Sequence, residues 1–120
     1  MEFTFDNNTP IYIQLVEQLK LHIISGRLSP GERLPSVREL ALATKVNPNT
    51  MQKALTELEE TGLIFTERTN GKFVTEDTTL IGDFKASYAR EITEKYLSAM
   101  ENIGINPADA EKYLRGEVNL

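Results

Sequence analysis

Apolar residues recur at four-residue intervals near the start of the chain, at Ile11, Leu15, Leu19 and Ile23, and Tyr12 and Val16 widen them into a stripe. That period predicts an amphipathic helix. Thr9 is placed to cap it, and Pro10 suits the first helical position, where its missing N–H costs nothing. Gly26 follows the last apolar residues as a left-handed terminator, and Ser29-Pro30-Gly31 reads as a turn. A second helix is signalled by Pro35-Ser36-Val37-Arg38-Glu39, where Ser36 and Glu39 have the spacing of a capping box. Val37, Leu40 and Ala41 give it a short apolar face, and it is expected to end near Thr44. A third helix follows after about three residues, the spacing of a helix-turn-helix. Asn47 caps it, Pro48 takes its first position, Met51, Ala54, Leu55 and Leu58 form its inward stripe, and Gly62 closes it.

After Gly62 the period changes. Leu63-Ile64-Phe65-Thr66-Glu67 is β-prone, Asn70-Gly71 is a hairpin turn signal, and Lys72-Phe73-Val74-Thr75 is the return strand. Three helices and a two-stranded hairpin make a winged helix-turn-helix. Residues 76–80 read as a polar linker. Phe84, Tyr88, Ile92, Tyr96, Ala99 and Ile103 then line one side of a long helix starting near Asp83, interrupted at Gly104. Asn106-Pro107 restarts a short helix with Ala110, Tyr113 and Leu114 on its apolar face. The expected fold class is therefore α+β, mainly α. Residues 1–76 form a winged helix-turn-helix domain and residues 77–120 a C-terminal helical dimerisation hairpin.

Composition narrows the chemistry. The 120 residues contain no cysteine and one histidine, His22, which leaves no thiol nucleophile and no thiolate metal site, and any Ser-His-Asp triad would have to be built around His22. His22 adjoins the apolar Ile23 and reads as a boundary or partly buried residue. No phosphate-binding glycine loop, metal-ligand spacing or nucleophile elbow is present, so neither an enzyme nor a cofactor is expected. No apolar run reaches the roughly 20 residues that span a membrane. The N-terminus lacks a signal-peptide pattern, and a cytoplasmic location is expected.

The net charge of −5 argues against a polyanionic partner, but its distribution does not. Residues 27–75 carry seven Lys/Arg against six acids, whereas residues 76–120 carry five against nine. A local basic face matters more than the total for phosphate contact. On a helical wheel of the third helix, Met51, Ala54, Leu55 and Leu58 fall within about 60° of one direction. Asn49, Gln52, Lys53 and Thr56 fall near the opposite side, with Thr50 at the flank. Amides pair with adenine edges and an ammonium suits guanine or phosphate, so the first two turns fit a major groove. Glu57, Glu59 and Glu60 in the last turns do not. An ordinary solvated helix would carry the same residues, and the helix-turn-helix context favours DNA. Arg38 lies beside the Ser36 cap and is suited to a phosphate or a guanine, or to an ion pair with Glu39 or Glu32. Arg68 and Lys72 bracket Asn70-Gly71, giving a positive wing tip that Gly71 lets approach DNA closely, unless they merely guard an edge. The aromatic stripe on the long helix either packs back on the domain or forms a dimer seam; a small-molecule site is a third option, without a converging polar cluster.

The run Gly26-Arg27-Leu28-Ser29-Pro30-Gly31-Glu32-Arg33-Leu34-Pro35-Ser36-Val37-Arg38-Glu39-Leu40-Ala41 closely resembles the signature of GntR-family transcription regulators. So do Pro10-Ile11-Tyr12-Ile13-Gln14-Leu15, Val46-Asn47-Pro48-Asn49-Thr50, Ala54-Leu55-Thr56-Glu57-Leu58-Glu59 and Gly62-Leu63-Ile64. The resemblance covers roughly residues 9–75, and the short helical tail looks like that of the YtrA-like branch. It implies a winged-helix repressor that dimerises through its C-terminal helices and binds double-stranded DNA at an inverted repeat. It also implies DNA contacts at Ser36, Arg38, Asn47, Asn49, Thr50, Lys53 and Gly71. Added to Gln52, Arg68 and Lys72 from the residues themselves, these are the candidate DNA-binding set. The expected partners are operator DNA and a second copy of the chain, with no membrane and no assigned effector. A winged-helix protein-interaction module without DNA binding is the rival reading, which the net acidity would suit.

Overall fold

The computed structural model describes residues 1–118, in which five helices accompany one antiparallel hairpin. The order is α1 (Ile11–Ile24), α2 (Val37–Thr44), α3 (Pro48–Glu60), β1 (Ile64–Glu67), β2 (Gly71–Val74), α4 (Thr78–Asn102) and α5 (Pro107–Leu114). This is a mainly helical winged helix-turn-helix followed by a helical tail. The chain divides into two compact units, Met1–Phe84 and Lys85–Leu120.

The core of the first unit is built from the stripes the sequence shows. Leu15, Leu19 and Ile23 of α1, Leu40 and Ala41 of α2, and Met51, Ala54, Leu55 and Leu58 of α3 are buried, together with Leu63, Ile64 and Val74 of the hairpin. Ile11, expected in the α1 stripe, stays outside that core and is 36% exposed. Capping follows local chemistry. The Ser36 hydroxyl accepts from the Glu39 N–H at 3.1 Å, and the Asn47 side chain accepts from the Asn49 N–H at 2.8 Å. Thr9 does not cap α1. Pro10 is itself the N-cap and no side chain caps that end.

The α1 glutamines instead hold the N-terminal arm. Gln18 accepts from the Thr4 N–H at 2.9 Å and donates to the Thr4 carbonyl at 2.6 Å. Gln14 accepts from the Asp6 N–H at 2.9 Å and donates to the carbonyls of Asp6 and Thr9. Phe3 stacks on His22, whose buried ring donates from Nδ1 to the Gln18 carbonyl at 2.7 Å.

Two boundaries differ from expectation. The hairpin loop is Arg68-Thr69-Asn70, and Gly71 already pairs with Glu67 as the first residue of β2. Its φ of +99° closes a three-residue loop, a conformation that favours glycine. Residues 78–80 are helix rather than linker. The Asp77 carboxylate accepts from the Leu80 N–H at 3.0 Å and so starts α4 five residues before Asp83. Leu80, Ile81 and Phe84 then pack on the core of the first unit.

Candidate nucleic-acid interface

The buried side of α3 fixes what its other side presents. Met51, Ala54, Leu55 and Leu58 are all fully inaccessible, so helical geometry turns Asn49, Gln52, Lys53 and Thr56 outward. Thr50 is half-buried at the flank. Gln52 and Thr56 are linked at 3.3 Å, while Thr56 also returns its hydroxyl proton to the Gln52 carbonyl at 2.9 Å. The Lys53 ammonium lies 3.7 Å from the centroid of the Tyr12 ring of α1.

Arg38 lies in the first turn of α2 and lines a cleft with Pro48 at the start of α3. It is exposed and, among the described residues, has no carboxylate within ion-pair distance. The ion pair with Glu39 or Glu32 is absent, and Glu32 accepts instead from the Ser29 N–H at 3.0 Å. Ser36 and Asn47 use their oxygens as caps, which leaves the Ser36 hydroxyl proton and the Asn47 amide N–H groups to donate outward.

The wing is charged differently from the sequence expectation. Arg68 is exposed at the loop, but Lys72 is drawn back: its ammonium lies 3.4 Å from a Glu59 carboxylate oxygen and donates to the Thr66 hydroxyl at 2.9 Å. The cross-strand register that places Lys72 opposite Thr66 aims it at the end of α3 rather than out of the tip. The Thr66 hydroxyl and then the Lys72 ammonium hold the Glu59 carboxyl below the usual carboxylate range, with burial opposing them.

Arg33, absent from the expected set, lies at the wing. It bridges to Phe73, and its guanidinium would stand 3.4 Å from a Cβ added at Gly71. The sequence did carry a signal for it. Residues preceding Pro35 are biased to extended backbone, where neighbours point to opposite faces, so a buried Leu34 turns Arg33 outward. Arg33, Ser36, Arg68 and Gly71 share a cleft of about 290 Å³ between the start of α2 and the wing.

In the second unit α4 has no fully buried residue. Ile92 and Ile103 are 54% and 72% exposed, Ala99 is exposed, and Tyr88 and Tyr96 are half-buried. Phe84 stands apart from this stripe, because it packs within the first unit with Lys20 6.0 Å from its ring centroid. Among the described residues no cluster of three or more potential metal ligands occurs, and no helix is long and apolar enough to cross a membrane.

The family model described as bacterial regulatory proteins, gntR family, matches residues 11–74, more than half of the chain. The chain belongs to the GntR family. Among the relatives of this GntR protein is the uncharacterized HTH-type transcriptional regulator YhcF of Bacillus subtilis (strain 168), 37% identical over 88% of this chain and 87% of YhcF. The HTH-type transcriptional repressor YtrA of the same organism is 47% identical over 62% of this chain and 59% of its own. A solved GntR family transcriptional regulator from Listeria monocytogenes superposes with a TM-score of 0.85 at 40% identity, covering 96% of this chain and all of that one. The AraR DNA-binding domain in complex with operator ORX1 matches with a TM-score of 0.57 at 28% identity, over 62% of this chain and 96% of that one. The chain is thus a DNA-binding transcription regulator of a family whose members are regulators rather than enzymes.

Proposed function

We propose that this GntR-family protein is a repressor that binds an inverted-repeat operator as a homodimer. One observation carries the reading. The outward face of α3 presents amides, a hydroxyl and an ammonium directly over a fully buried stripe, and Arg38, without a carboxylate partner among the described residues, lines a cleft with Pro48 at the start of that helix. In this reading Asn49 and Gln52 read base edges in the major groove, and Lys53 meets a guanine or a phosphate. Ser36, Arg38, Asn47 and Thr50 hold the adjoining backbone, while Gly71, Arg68 and Arg33 bring the wing against the duplex. Lys72 braces the wing on α3 through Glu59. The acidic last turns of α3 lie beyond the groove.

Tyr88, Ile92, Tyr96, Ala99 and Ile103 form the surface a second copy covers. An apolar stripe on an otherwise acidic segment fits a like stripe better than it fits DNA. Repression follows from occupancy of the operator. The experiment is selection of bound sites from a random duplex pool, followed by titration of the selected site at several salt concentrations. An inverted repeat bound by two chains, with affinity falling steeply as salt rises, is the expected result. Salt-insensitive or absent binding would turn the assignment toward a protein-interaction module.

A further inference from the structure

We infer that Tyr12 is a positioning residue for DNA recognition, its ring holding the Lys53 ammonium where the recognition helix presents it. The inference rests on the reading above, in which Lys53 touches the operator. Tyr12 belongs to α1, packs partly buried against the core and is fixed by that packing. Lys53 is exposed on α3 and has no carboxylate partner among the described residues. Its Nζ nonetheless lies 3.7 Å from the Tyr12 ring centroid, within the range in which a ring face attracts a cation. Neither helix alone gives a reason for this meeting, which arises where α1 lies on α3.

The consequence is preorganisation. A free lysine stem has four rotatable carbon–carbon bonds, and ordering it on DNA costs conformational entropy at the moment of binding. A ring that already restrains the ammonium moves that cost into folding. The ring face occupies one side of the ammonium, and the N–H groups directed elsewhere remain for a phosphate or guanine acceptor. Tyr12 would thereby shape recognition without itself reading a base.

The test uses the full chain and a site selected from random duplex by the wild type, with Tyr12→Phe, Tyr12→Leu, Lys53→Ala and the Tyr12→Leu/Lys53→Ala double variant. Tyr12→Phe keeps the ring and is expected to bind nearly as the wild type does. Tyr12→Leu should weaken binding by about two- to fivefold per half-site, and should have almost no further effect once Lys53 is alanine. Independently of DNA, the Lys53 ε-methylene protons of the wild type should be shifted upfield by the ring current, and those of Tyr12→Phe likewise. This measurement keeps the test decisive if Tyr12→Leu unfolds.

A Lys53 methylene at the random-coil position would overturn the inference. So would an equal loss from Tyr12→Leu in both backgrounds, a loss from Tyr12→Phe as large as from Tyr12→Leu, or tighter binding by Tyr12→Leu. If Lys53→Ala binds as the wild type does, the role of Lys53 in recognition fails and the inference with it. The upfield shift would then still report the contact, so the two failures are told apart.

Discussion

Arg38 is the residue whose removal should separate binding from folding. It is exposed and, among the described residues, without an ion-pair partner in the first turn of α2, so Arg38→Ala leaves Val37, Leu40 and Ala41 in place. The expected result is an unchanged melting temperature with operator binding weaker by about 1–3 kcal/mol per half-site, read by titration and thermal unfolding side by side. Asn49→Ala should relax base preference at one position of each half-site, seen across a panel of single-base operator variants. Glu59 makes a pH prediction. Its carboxyl is held below its ordinary value of 4.5, so the stabilisation it supplies is present above that value and is lost as pH falls through the lower, folded-state value. Lys72→Met should remove part of it. The pair is partly solvated, so the difference at pH 7 is about 0.2–1 kcal/mol and should shrink progressively in melts as pH is lowered below 4.5. These residues show what the sequence could carry. Asn49 and Lys53 were legible from helical period alone, because burial of Met51 and Leu55 decides the opposite face. The retreat of Lys72 and the approach of Arg33 to Gly71 were not, because both depend on cross-strand register and on which element the hairpin leans against.

At the scale of elements, α2 and α3 are announced by their own caps, and the structure sets them within a residue or two of the expected positions. The start of α4 was obscured because Thr78, Thr79 and Gly82 are poor helix formers. Only the Asp77 cap and the packing of Leu80 and Ile81 on the core override them. Gly82 sits inside that helix with nothing within 4 Å of where a Cβ would stand. Gly82→Ala should therefore raise stability by about 0.5–1 kcal/mol, measured by chemical denaturation, with operator affinity unchanged.

The whole molecule shows where a cut should fall. Leu80, Ile81 and Phe84 are part of the winged-helix core, so a chain ending after Lys85 keeps its apolar cover, while one ending after Thr79 loses three packed side chains. Sedimentation of the longer truncation should give a folded monomer. Its operator affinity should fall by about 100-fold or more, because two heads no longer share one effective concentration. A stable dimer of that truncated chain would place the self-association surface in the winged helix instead.

The two glutamines of α1 give the N-terminal arm an unusual exchange pattern. Thr4 and Asp6 offer their amide protons to side-chain oxygens one helical turn apart, whereas among the described residues no bond occupies the amide of Phe5 between them. In deuterated water the arm should thus exchange in alternation, with slow amides at the even positions and a fast one between, as an edge strand does. The partner strand here consists of two side chains, and Gln18→Ala should release the first of those amides while leaving the second slow.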